Sequence, residues 1–549
     1  MSDIETPEIP ETGDEDDSLR EVGPQPEPDM QPGEGTHAPK RLSRRQFIPR
    51  AIGGLAAALG VGGVAGYELR HPHTGGAAAA EPAGPTATEI PTAGNPGSGV
   101  GSFVTRPTLR PALVRVTNLT DRSTSSMSPG FIAMAPMPDV TYKSVQRGPM
   151  LIDRSGRLVW FDPQPKSTFD VKVQSYQGEP VITYWYGDLV GGHGVGVGKI
   201  VDRTYRTIAV VGNEQRRPID LHEFNLTSRG TALATYWDSR TYDLSPIGGP
   251  KSGVLLVGHA LEIDIATGRT LLDWVSVDHV GIEESYQPSP SGSDIYDYFH
   301  INSIAEAADG NLLVSARNTW AVYKVNRQTG EVMWRLNGKR SDFRLDKGAE
   351  FSWQHHVRAH GTSELTVFNN AATSDHGSLG LLLDLDETSK RARLKQAYQH
   401  PAKFLAWTLG SIQVRPDGNV FIGWGSQPYF SEFSASGELL VDGQFESWTR
   451  SYRTFLGEWH GKPRDKPVML ARTEPENLNS FVVYASWNGA TEIDHWTVLA
   501  GSDAASLQPI ASQAWSGFET TIAVGSEGPV FAVAAIDRDG NELGRSDPT

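Results

Sequence analysis

Three histidines stand in closely similar settings: His222 in DLHEFNL, His300 in DYFHINSIAEAADGNLLVSARN and His355 in WQHHVRAHGTSELTVFNN. After each come a few alternating residues, a turn and a second apolar strand, so the three occupy one register of a repeated unit. In a radial β-architecture, equivalent positions of successive units converge on a central channel, bringing residues far apart in sequence to one small substrate. A neutral imidazole there can act as a nucleophile and carry a transferred group on nitrogen until an acceptor removes it. Residues at i and i+2 share a strand face, which predicts that Asn302 points with His300. Arg317 closes the next strand, in SARN, and offers a planar guanidinium fork at the same mouth. Three imidazoles, an amide and a guanidinium make a donor-rich pocket suited to a sulfate-like or phosphate-like oxyanion. Histidines meeting at an axis could also hold zinc or copper, so a metal site stays open at this point. A histidine nucleophile predicts activity that falls at acid pH from an ordinary pKa of about 6.5, with Arg317 and the other imidazoles pushing that value down.

The elements that must position these residues are strands. From Phe103 onward short β-patterned runs are separated by Gly, Asp, Asn and Pro turns, and no stretch carries a helical period. MLIDRSGRLVWFDPQ reads as two strands joined at Ser155-Gly156. HINSIAEAADGNLLVSARN with TWAVYKVNRQTGEVMWRLNG reads as four strands, with turns at Asp309-Gly310 and Thr329-Gly330. Ser411, in SIQVRPDGNVFIGWG, stands near the histidine register of a further unit. A spacing of about 55 residues from His300 onward divides the stretch from Arg110 to Trp459 into about six units. The fold class expected is all-β: a six-bladed β-propeller over 106–465, then an immunoglobulin or fibronectin III-like β-sandwich over 475–549 that packs on it without supplying catalysis. The glycine run from Gly191 to Gly198 lacks the lysine of a phosphate-binding loop and opens no helix, so it reads as a tight loop between strands.

The chain has 549 residues, a net charge of −16 and no cysteine. An acidic surface cannot release counterions from phosphates, which excludes a nucleic-acid partner. Disulfides, thiolate metal sites and cysteine nucleophiles are excluded outright. Residues 1–42 are acidic, proline-rich and poor in aliphatics, the composition of a disordered tail. Residues 43–80 open on Ser43-Arg44-Arg45-Gln46-Phe47-Ile48 and continue into a weakly apolar Ala/Gly run, which resembles a twin-arginine export signal. A retained membrane anchor is the alternative, although the run is short for a stable span. Residues 81–105 read as a flexible linker. These features predict an extracytoplasmic protein, secreted or attached to the cell envelope, whose partner during export is the twin-arginine translocase.

DLHEF, then FHINSI with SARNTWAVYKVNRQTGEVMWRLNG, then WQHHVR with LTVFNN, then Trp424-Gly425 and SEFSASGEL resemble, in order, the arylsulfotransferase family in its actinobacterial and fungal branch. That resemblance implies a ping-pong transfer of a sulfuryl group from an aryl sulfate donor to a phenolic acceptor, through a sulfohistidine and with no nucleotide sulfate donor or other cofactor. It places the nucleophile on His355 and transition-state binding on His222, His300, Asn302 and Arg317. His356 stands where the family commonly has an aspartate. Two other classes fit parts of the pattern. IDIATGRTLLDW and VNRQTGEVMW resemble quinoprotein dehydrogenase repeats, and a non-catalytic binding propeller needs none of the histidines.

Overall fold

A computed structural model describes residues 100–118, 128–138, 145–291, 294–371, 377–446, 449–474, 477–525 and 528–549. The acidic tail, the paired-arginine segment and most of the linker lie outside them. The described residues form strands joined by turns and three short 3-10 segments, with no α-helix and no helix long and apolar enough to cross a membrane.

Among the described residues, six mainly antiparallel sheets follow one another. Sheet 1 has Phe131–Pro138, Met150–Ile152 and Leu158–Phe161, with Thr449–Gly457 added from the far end of the sequence. Sheet 2 has Ser167–Tyr176, Glu179–Val190, His193–Val201 and Thr207–Val211. Sheet 3 has Phe224–Leu226, Thr231–Tyr242, Gly253–Asp264 and Thr270–Val275, with Ile295–Asp297 lying parallel beside Gly253–Asp264. Sheet 4 has Ile301–Glu306, Leu312–Ala316, Ala321–Val325 and Val332–Leu336. Sheet 5 has His355–His360, Glu364–Asn369, Leu379–Asp386 and Arg391–Tyr398, with the short Arg344–Leu345 beside the last. Sheet 6 has Ser411–Val414, Val420–Gly423, Tyr429–Phe433 and Leu439–Phe445, and Val114–Asn118 completes it. The turns Ser155-Gly156, Asp309-Gly310 and Thr329-Gly330 fall where the pattern predicts, with each glycine at positive φ.

The strand that begins each of sheets 2 to 6 packs against its counterparts in the neighbouring sheets. Thr449–Gly457 meets Ser167–Tyr176 on one side and Ser411–Val414 on the other, so the contacts close into a ring. Sheet 4 shows why the sequence accepts this. Leu312, Val314 and Ala316 face a core shared with sheet 3, while Leu313 and Val322 face one shared with sheet 5. Both faces are apolar because both are covered. Similar clusters fill the gaps between sheets 1 and 2, 2 and 3, 5 and 6, and 6 and 1.

The middle of the ring holds a knot of charge. Glu223 accepts from Arg358 at 2.8 Å, Arg453 at 3.0 Å and Lys172 at 3.2 Å, and Asp170 accepts from Arg453 at 2.9 Å and Lys172 at 2.8 Å. Arg453, Glu223 and Asp170 are buried. These five residues come from sheets 1, 2 and 5 and the entry to sheet 3, so their pairing fixes how those sheets meet.

Two further sheets end the chain. One pairs Val468–Glu474, Asn477–Ser486 and Glu519–Gly525; the other pairs Gln508–Ala514, His495–Gly501, Val530–Ile536 and Glu542–Arg545. Their shared core includes Val483, Trp496, Val498, Ile522 and Val533. The first of these strands begins at Val468, seven residues ahead of the boundary read from the sequence. This part docks on the ring through Asn488, which bonds both backbone groups of Phe161, and through Gly489 O, which accepts from Tyr205 at 2.6 Å.

Candidate active site

His222 lies two residues before the innermost strand of sheet 3, His300 one residue before that of sheet 4, and His355 opens that of sheet 5. His222 and His300 meet, with ring centroids 4.9 Å apart. Each is held from behind by a carboxylate. Asp220 Oδ2 accepts from His222 Nδ1 at 2.5 Å, and Asp297 Oδ2 accepts from His300 Nδ1. Burial, only partly opposed by Asp297, holds His300 down to about 4. It is therefore neutral at physiological pH, with the proton on Nδ1 and a lone pair on Nε2.

His355 is buried, 1% exposed. Its Nδ1 donates to Trp353 O at 2.9 Å and to Asn370 Oδ1 at 2.8 Å. The Asn370 amide is oriented by its own donations to Ala406 O and Leu409 O, which leaves its oxygen for the histidine. Nε2 of His355 must then carry the lone pair, and it accepts from Leu409 N–H at 3.3 Å. Burial first, and the Arg317 guanidinium second, hold this ring well below the ordinary histidine range. The acid limb expected near 6.5 therefore moves well down, because the pocket desolvates its imidazoles more strongly than sequence neighbours alone suggest.

Arg317 donates to Asn318 Oδ1 at 3.0 Å and to Trp407 O at 3.3 Å, and its guanidinium lies 4.8 Å from the Trp353 ring. Trp353 and Trp407 are 5.7 Å apart, and Trp407 is 48% exposed. An aromatic surface thus stands beside the guanidinium and the Leu409 segment that covers His355.

Asn302 is placed differently from the expectation. His300 has φ of 52° and the register slips between Ile301 and Ser303, so simple alternation does not carry across this stretch. The Asn302 amide instead donates to Gln354 O at 2.6 Å, beneath the backbone that leads into His355. Ser411 bonds the closing strand at Thr454 and takes no part in the site. His356 faces away from His355. Its Nδ1 accepts from Ile412 N at 3.3 Å and its ring packs on Phe455, while burial and the cations Arg358, Arg453 and Lys172 hold its pKa well down.

Sequence reasoning passed over His193, Asp220 and Asp297. His193 sits in the glycine run, of which only Gly191 and Gly192 form the turn, and the rest is strand. Its ring centroid is 4.7 Å from His300 and 5.6 Å from His222, and its Nε2 donates to Asp297 at 3.0 Å. The two aspartates were legible as D-x-H and D-x-x-H, spacings at which a carboxylate can reach the imidazole that follows it. His193, Asp297 and His300, and likewise His193, Asp220 and His222, have ligand-type atoms within 4.8 Å of one another. In both sets the carboxylate also lies within hydrogen-bond distance of a histidine ring.

Residues 172–446, half of the chain, match the family model described as Arylsulfotransferase (ASST). The chain belongs to the arylsulfotransferase family. Membership supports a sulfotransferase enzyme. Among curated proteins none matches the chain. Solved structures with some similarity include a protein of unknown function from Bacteroides caccae, at 12% identity and TM-score 0.36, covering 60% of this chain and 98% of that one. Virginiamycin B lyase from Staphylococcus aureus aligns at 9% identity and TM-score 0.30, covering 60% and 87%. A putative 6-phosphogluconolactonase from Bacteroides uniformis aligns at 12% identity and TM-score 0.32, covering 72% and 100%. At such scores these likenesses decide neither fold nor activity.

Proposed function

We propose that the protein moves a sulfuryl group from an aryl sulfate ester to a phenol through a covalent adduct on His355. One observation carries the reading: a buried, neutral imidazole whose Nδ1 proton is pinned by Trp353 O and Asn370, leaving Nε2 with a lone pair that meets only the Leu409 N–H at 3.3 Å, in the field of the Arg317 guanidinium. In the first half-reaction Nε2 attacks sulfur, the sulfur–oxygen bond to the aryl group breaks, and the phenolate leaves with the electron pair and takes a proton from solvent. In the second, the acceptor oxygen attacks sulfur while its proton passes to His300 Nε2. The nitrogen–sulfur bond breaks, its pair returns to His355, and His300 releases the proton to solvent. The Arg317 fork, and His222 in the form that carries a proton on Nε2 as well as on Nδ1, stabilise charge on the sulfuryl oxygens; one such donor is typically worth about 3 kcal/mol in the transition state. Asn302 holds the backbone ahead of His355 in place. Trp353 and the exposed Trp407 supply an aryl-binding surface at the mouth.

In the same reading, the six sheets are the blades of a propeller closed by Thr449–Gly457, and the last two are a β-sandwich. The segment 43–80 is a twin-arginine signal that delivers the protein outside the cytoplasm. Its test is Arg44→Lys with Arg45→Lys, which should trap the chain inside; continued export would contradict it. The activity is tested with 4-nitrophenyl sulfate. Nitrophenol release that is stoichiometric without acceptor and continuous with added phenol supports the two-step transfer. Absence of release from any aryl sulfate sinks it.

A further inference from the structure

His193 has no part in the transfer as written, yet it touches the carboxylates behind both His222 and His300. Its Nε2 donates to Asp297 Oδ2, the oxygen that also accepts from His300. On the other edge of the ring, Nδ1 is buried without a hydrogen-bond partner and faces Asp220 Oδ1 at 3.9 Å. The neighbouring backbone makes the second tie, since Gly194 N–H donates to Asp220 Oδ1 at 2.5 Å. The glycine run now has a physical reason. A Cβ at Gly194 would lie 2.6 Å from the Trp185 ring and 2.8 Å from Leu221 N, so only glycine lets this strand approach Asp220 so closely. The groups facing His193 are Asp220 and His222 from the entry to sheet 3, Asp297 and His300 from the entry to sheet 4, and the uncharged Trp237 ring at 5.5 Å.

We propose that His193 is a positioning residue of the site, one imidazole spanning Asp297 and Asp220 so that His222, Asp220, His193, Asp297 and His300 form a single unit presenting two ring nitrogens to the substrate. Two carboxylates beside one imidazole favour its protonated form. Burial disfavours the charge on His193, but Asp297 and Asp220 outweigh it and raise its pKa above the ordinary value. That charge in turn helps keep His300 unprotonated. Without it, Asp297 loses one of its two ring donors and is free to turn, and the His300 ring turns with it.

The consequence for rate rests on the sulfuryl-transfer reading, while the linkage itself does not, and the test separates them. Nitrogen NMR of histidine-labelled full-length protein at neutral pH should show, besides His259, which Asp238 and Asp273 also hold up, a ring with both nitrogens protonated that is absent in His193→Gln and His193→Asn, and a His300 that stays neutral down to about 4. In either variant the His300 midpoint should rise by about one unit. kcat should fall about 10- to 100-fold, with KM for 4-nitrophenyl sulfate moving less than about threefold. A neutral His193 in the unaltered protein, an unmoved His300 midpoint in the variants, or a stoichiometric divalent metal that His193→Gln releases would each overturn the assignment. All three are readable whether or not the protein transfers sulfate.

Discussion

A buried histidine is ordinarily a structural hydrogen-bonder, and His356 is one: it receives Ile412 N–H and packs on Phe455. His355, its neighbour, also receives one backbone N–H at 3.3 Å, but its other ring nitrogen is pinned by Trp353 O and Asn370, and the groups acting on its ring are Arg317, His222 and His300. The difference predicts that His355→Ala removes transfer, by about a thousandfold or more, while His356→Ala still forms the adduct at reduced stability. Arg317→Lys should cost about a hundredfold in kcat, since an ammonium cannot reproduce the planar fork. Trp407→Ala should raise KM for the aryl donor about 3- to 10-fold with a smaller change in kcat, the amount an aromatic contact typically supplies. Because His300 is needed neutral in the second half-reaction and sits at about 4, kcat/KM for the phenolic acceptor should hold level from neutral pH to about 5 and fall toward 4. A half-maximum near 6.5 in a pH-rate profile would contradict this environment for the histidines.

The strands place these residues, and stability follows the same groups. His300, His355 and His356 titrate lower folded than unfolded, so below about 6.5 the unfolded chain binds more protons and stability falls as pH drops. For His300 alone, a shift from about 6.5 to about 4 is worth about 3 kcal/mol once both values are passed. Asp220 and Asp297, held below their ordinary values against burial chiefly by His222 and His300, lose their contribution lower still. His193 runs the other way, stabilising below its folded pKa and losing that contribution as pH rises through it. Urea midpoints should therefore fall between neutral pH and 4.5, and a midpoint that rises on acidification would refute the balance. In the charge knot, Glu223→Gln leaves Arg358 without its carboxylate and Arg453 and Lys172 with Asp170 alone, and should cost about 3–5 kcal/mol by denaturant unfolding. Sequence made the strands of sheet 4 plain because Gly310 and Gly330 mark its turns. It could not show Asp170, Glu223 and Arg453 pairing, since residues 283 positions apart give no local signal. The same holds for His193, whose tie to Asp297 spans 104 positions.

At the scale of the whole molecule, the ring closes by exchange of ends. Val114–Asn118 completes sheet 6 and Thr449–Gly457 completes sheet 1. The sequence repeat located the three histidine-bearing units, but neither end strand carries the repeat's signature, so this closure was not legible. Since His222, His300 and His355 come from three sheets, their alignment depends on a closed ring. Val114→Asp puts a charge into the apolar gap between sheets 6 and 1. It should lower the melting temperature and remove transfer together, even though Val114 belongs to no part of the site; transfer that persists after the melt of this sheet would contradict the dependence.

The most direct measurement is to incubate the protein with 4-nitrophenyl sulfate and no acceptor, digest under alkaline conditions, and map the added sulfuryl mass. The account predicts one sulfuryl group on His355, lost in His355→Ala, retained in His356→Ala, and discharged by added phenol with formation of its sulfate ester. A label on any other residue, or turnover with no covalent label on rapid quenching, would contradict it.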